Sequence, residues 1–109
     1  MPRKSTVMIN TWSTLGVFEG ELFTSVHLTE KGALLNALVD MLMFLGIDEN
    51  PEEALDRHFD GEPAPCYDLA EMYKMNRQQL STLFNQWAEI TWDNDEGYQI
   101  EIYKTPVKV

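Results

Sequence analysis

Two histidines and one cysteine are the side chains of this 109-residue chain best suited to metal binding or nucleophilic chemistry near neutral pH. His27, His58 and Cys66 stand in separate segments with no paired ligand spacing, so no metal site is expected. His58 lies between Asp56 and Asp60, a context that suits a surface ion pair better than a catalytic one. His27 falls on the exposed or half-buried face of a strand-like stretch. Cys66, between Pro65 and Tyr67, has nothing basic nearby to lower its pKa and reads as a half-buried filler. A single cysteine also excludes an internal disulfide and fits a reducing compartment. The carboxylates of 48–62 lack the one-three-five order and central glycine of a calcium loop. There is no phosphate-cradling glycine loop, nucleophile elbow or Ser/His/Asp grouping. The expectation is a protein that is not an enzyme and carries no cofactor.

What remains is charge. Eighteen acids against eight bases give a net charge of −10. Residues 48–68 hold eight acids and only Arg57, a local net of −7, which is as much as solubility asks of a whole small domain (about 2–8). Asp48, Glu49, Glu52, Glu53, Asp56, Asp60 and Glu62 form this first cluster; Asp93, Asp95 and Glu96 form a second, in a stretch (89–101) with no base. Such a field repels nucleic acid and membrane phosphate and attracts Lys and Arg on protein surfaces. The expected partner is therefore a basic protein surface, such as that of a nucleic-acid-binding protein, and not a membrane. A charged face that only keeps the chain soluble is the simpler alternative.

The elements that must carry these residues can be read in order. Thr6 to Trp12 reads as a strand, Gly16 and Gly20 punctuate a connection, and 22–28 alternates as a second strand with one face better buried. Thr29 is a helix cap before 33–45, where Leu34, Leu35, Leu38, Met41, Leu42 and Leu45 recur at helical spacing and Gly46 follows as terminator. This is the expected central helix. Asn50-Pro51-Glu52-Glu53 starts a short helix burying Ala54, Leu55 and Phe59 and exposing Glu52, Glu53 and Asp56. Residues 60–66 form a loop. A short helix over 68–74 would bury Leu69, Ala70, Met72 and Tyr73. Asn76, with Gln79 three residues on, caps a helix marked by Leu80, Leu83, Phe84 and Trp87. Ile90 and Trp92, then Tyr98, Ile100 and Ile102, alternate about the turn 93–97 as a C-terminal hairpin. The expected fold is a single α+β domain: an N-terminal β-hairpin or strand pair, three to four helices, and a C-terminal β-hairpin.

The segment 69–84 resembles a helix-turn-helix. Ala70 is small where the first helix would approach the second, Asn76 starts the second helix, and Leu80 and Leu83 pack it inward. A hairpin at 89–103 would stand where winged helix-turn-helix domains put their wing. That resemblance implies a second helix offering Asn76, Arg77, Gln78, Ser81, Thr82 and Asn85 to a major groove, in a DNA-binding regulator. Only Lys74 and Arg77 would face phosphate, however, and the acids of the wing tip oppose docking. The leading expectation is thus a non-enzymatic inhibitor or regulator that occupies a basic site on its partner. In size and charge it resembles virus-encoded anti-defence proteins, including DNA mimics and anti-CRISPR proteins. A DNA-binding regulator comes second, and a homo-oligomeric assembly subunit or homodimer third. No signal-peptide core follows Met1, so the expected place is the cytoplasm, of a host cell if the protein is viral.

Overall fold

The structure, a computed structural model, describes residues 8–18, 21–94 and 98–108. The fold is α+β. β1 (Met8–Phe18) and β2 (Glu21–His27) are followed by α1 (Glu30–Phe44), α2 (Pro51–Phe59), α3 (Leu69–Lys74), α4 (Arg77–Asn94) and β3 (Tyr98–Lys108). The three strands make one antiparallel sheet in the order β2-β1-β3. α1 and α4 pack together against one of its faces, and the core lies between.

α1 forms where expected, one turn longer at its start. Thr29 Oγ1 accepts a hydrogen bond from the Gly32 amide at 3.0 Å, which satisfies one of the unpaired donors of the first turn. Leu34, Leu38, Met41 and Leu42 then fall on the inner side and are buried. Gly46, at φ +80°, ends the helix in a left-handed conformation that a side chain would strain. Ile47 follows and is buried again.

Two expectations are corrected. β1 runs straight through Gly16, which lies under the ring of Phe23; a Cβ there would collide with that ring. Gly20 lies outside the described residues. The space at Gly16 decides which face of β2 turns inward. Phe23, Ser25 and His27 are half-buried against α1, while Leu22, Thr24 and Val26 face solvent.

The C-terminal hairpin is the second correction. Residues 89–94, expected as its first strand and turn, are the last turns of α4. Ile90 and Trp92 alternate like a strand, yet Trp87, Ala88 and Thr91 continue the helical face of Leu80 and Leu83, and all five are buried. Thr91 Oγ1 donates to the Trp87 carbonyl at 2.7 Å, a back-bond that lets a β-branched residue satisfy its hydroxyl inside a helix. Burial overrides the local strand preference. β3 instead pairs with β1 over its whole length, from Met8 opposite Lys108 to Phe18 opposite Tyr98. The wing expected after the second helix is absent from the described residues.

Leu38 is fully buried between sheet and helices. Leu38→Ala is expected to lower unfolding stability by about 2–5 kcal/mol in chemical denaturation, through lost transfer energy and the cavity left behind.

Candidate acidic interaction face

The first acidic cluster is built on α2 and its flanks. Asn50 Oδ1 accepts from the Glu53 amide at 3.3 Å, and Pro51 occupies the first helical position. The Glu53 carboxylate in turn accepts from the Asn50 side-chain amide at 3.2 Å. Glu52 and Glu53 sit at the helix start, where the partial positive charge of the dipole favours them, and Arg57 near its end. Ala54 is buried, with Leu55 and Phe59 half-buried against the core, so the opposite side of α2 faces water. Asp48, Glu49, Glu52, Glu53, Asp56, Asp60 and Glu62 are all exposed. Arg57, the one base of this segment, is held by Glu53 at 2.9 Å. The field of the remaining carboxylates is left uncompensated within the segment.

Trp87 ties this segment to the core. Its indole N–H donates to the Cys66 carbonyl at 2.8 Å, and its ring meets Phe59 edge to face at 5.7 Å between centroids. One buried side chain of α4 thus anchors both the end of α2 and the end of the loop that follows. Cys66 is half-buried, as expected. His58 is half-buried and forms none of the ion pairs found among the described residues, where one with Asp56 or Asp60 was expected.

An apolar cleft of about 290 Å³ opens beside the cluster. Val39, Leu42 and Met43 of α1 form one wall, Tyr67 and Leu69 the other, and Asp48 stands at its rim. Met43, Tyr67 and Leu69 are exposed large apolar side chains. Leu69, Ala70 and Tyr73, expected in the core, are exposed, and of α3 only Met72 is buried. A six-residue helix covers the core with one turn, and Leu69 and Tyr73, four apart, share its outer side.

The second acidic cluster falls only in part within the described residues. The backbone of Asp93 belongs to the last turn of α4, and Asp95 and Glu96 lie outside the described residues.

The six side chains of the helix-turn-helix reading do not share one free face. Asn76 is consumed in the cap, its Oδ1 accepting from the Gln79 amide at 2.8 Å while Gln79 Oε1 accepts from the Asn76 amide at 3.0 Å. Arg77 pairs with Glu30 of α1 at 3.4 Å. Ser81 and Asn85 line a hollow with Trp12 and Lys104 of the sheet. Gln78 and Thr82 are exposed, four residues apart, with the Thr82 hydroxyl donating to the Gln78 carbonyl. Ala70, expected at the crossing of the two helices, is exposed.

A polar cluster that the sequence reading missed lies between sheet and α1. Ser25 Oγ is bonded to Thr14 Oγ1, to His27 Nε2 at 2.8 Å and to the Asn36 amide at 3.2 Å; the same amide reaches Asp40 at 3.2 Å. Alternation on β2 places Ser25 and His27 on one face, and Asn36 and Asp40 are one helical turn apart. A hydroxyl has one donor and two acceptor sites, so these three partners fill Ser25 Oγ. The cluster ties β1 and β2 to α1. Burial pushes the Asp40 carboxyl above its ordinary 3.8, against the opposing pull of the Asn36 amide and of His27.

Among the described residues no group of three or more His, Cys, Asp or Glu could hold a metal ion, and no helix is long and apolar enough to cross a membrane. No family model, curated protein or solved structure matches this chain.

Trp87→Phe keeps most of the ring but leaves the Cys66 carbonyl without its donor, and should lower stability by about 1–3 kcal/mol in urea titration. Asp40 binds its proton more tightly when folded, so stability is lost as pH rises from 3.8 through the raised folded value. Asp40→Asn is expected to raise the melting temperature at pH 7 relative to the wild type, with the gain vanishing below about pH 4.

Proposed function

We propose that this protein is a non-enzymatic interaction module whose acidic face occupies a basic, nucleic-acid-binding surface of a partner protein, acting as an inhibitor or regulator in the manner of DNA mimics. One observation carries the reading: seven exposed acids surround α2 while its single base is already neutralised, and an apolar cleft opens at their edge. The carboxylates supply long-range attraction and orientation, which act mainly on encounter rate. The cleft supplies what charge alone lacks, a desolvated pocket for one apolar anchor of the partner between its Lys and Arg residues. The partial occupation of the helix-turn-helix side chains by Gln79, Glu30 and the sheet supports this ordering over direct DNA reading.

The test uses a panel of purified basic nucleic-acid-binding proteins, with duplex DNA as competitor and as an alternative ligand. The protein is expected to bind at least one panel member in competition with DNA. Glu52→Lys, Asp56→Lys and Glu62→Lys together spare the Glu53 that holds Arg57. They should slow association about tenfold or more at low salt, with thermal unfolding little changed. Direct retention of the protein by duplex DNA at physiological salt, with an enriched sequence, would overturn the proposal in favour of a DNA-binding regulator.

A further inference from the structure

We propose that two copies of this chain associate edge to edge through β2, antiparallel about a two-fold axis at Thr24, to make one six-stranded sheet. The acids of 48–62 take no part in this contact, so it stands independently of the function proposed above.

The two edges of the sheet are unlike. β3 carries Lys104 and Pro106, the residue types that blunt an edge against further pairing. β2 has neither proline nor lysine and presents its outer backbone groups with no neighbouring strand among the described residues. It also carries the most exposed apolar side chains described: Leu22 at 69% and Val26 at 67%, with Leu28 just beyond it at 74%. In a chain of net charge −10, copies repel one another wherever acids cluster. β2 has one acid, Glu21, at its start.

The strand is complementary to itself in one register. Centred on Thr24, antiparallel pairing sets Leu22 of each copy opposite Val26 of the other on the outer face. Phe23 comes opposite Ser25, and Glu21 opposite His27, on the face toward the helices. The ionisable side chains of β2 are thereby matched acid to imidazole, and no like charges meet across the axis. A hollow of about 330 Å³ lined by His27, Gly32, Leu35, Asn36, Val39 and Tyr73 opens beside the same edge.

Size sets the strength. Seven residues at about 3.3 Å each give an edge of roughly 23 Å, and sheet plus helix layer stand roughly 20 Å tall. The footprint of about 450 Å² per copy lies at the low end for specific interfaces, so the dimer should be reversible and in the micromolar range.

The experiment combines sedimentation with cross-linking in a Cys66→Ser background. The full chain should pass from monomer to dimer as concentration rises through the micromolar range. Leu22→Lys with Val26→Lys, both at exposed positions, should weaken dimerisation more than about tenfold while circular dichroism and melting stay unchanged. Thr24→Cys should form a covalent dimer under mild oxidation, because residues directly opposite lie within disulfide reach. Leu22→Cys and Val26→Cys should cross-link when mixed and far less when alone. A chain that stays monomeric, a dimer that survives the double lysine variant, or cross-linking at Leu69→Cys in place of Thr24→Cys would each overturn the proposal.

Discussion

The indole of Trp87 is the contact on which the arrangement of the acidic face depends. It is fully buried in α4, yet its N–H reaches the Cys66 carbonyl and its edge meets Phe59. A loop with Pro63, Pro65 and Gly61 has few backbone bonds of its own, and Glu62 to the Phe59 carbonyl is one of them. Ala64 and Cys66 are only partly buried against the core and α2 buries only Ala54 completely, so the tryptophan's hydrogen bond is a principal tie of 60–68. A segment of net charge −7 tends to expand by self-repulsion. The hydrogen bond and the ring contact oppose that expansion and present the carboxylates as a surface of fixed shape.

Charge and apolar exposure are segregated. The carboxylates gather on α2 and its flanks, whereas Leu22, Val26 and Leu28 gather at the β2 edge. Between them the flank of α1 carries Val39 and Met43 into the apolar cleft. An acidic surface steers but gives little affinity once salt screens it, and an apolar cleft gives affinity without direction. The two meet at Asp48, on the rim of the cleft.

Helix starts were legible because capping is local: Thr29, Asn50 and Asn76 each accept from an amide three residues on. The inner faces of α1 and α4 were legible for the same reason, since burial repeats every three or four residues. The rest depended on distant partners. Nothing local in Ile90-Thr91-Trp92 tells that Thr91 will be buried on the face of Trp87, so alternation suggested a strand. Period-two alternation on β2 likewise defines two faces without saying which one turns inward. Gly16 on the neighbouring strand decides it by making room for Phe23, which turns Leu22 and Val26 outward against their hydrophobicity. The acids of the first cluster were legible as residues, but the cleft beside them joins α1 to the loop before α3 and appears only in the folded chain.

α2 and its carboxylates form a fixed face of the folded domain and not a solvated tether. Native-state hydrogen exchange of the wild-type protein tests it most directly, through the amides of Ala54 and Asp60, which donate to Asn50 and Asp56. These amides should be strongly protected, and their protection should fall when Trp87 loses its donor while that of Met41 and Leu42 in α1 persists. Exchange of the α2 amides at the rate of an unstructured peptide, beside a protected α1, would contradict it.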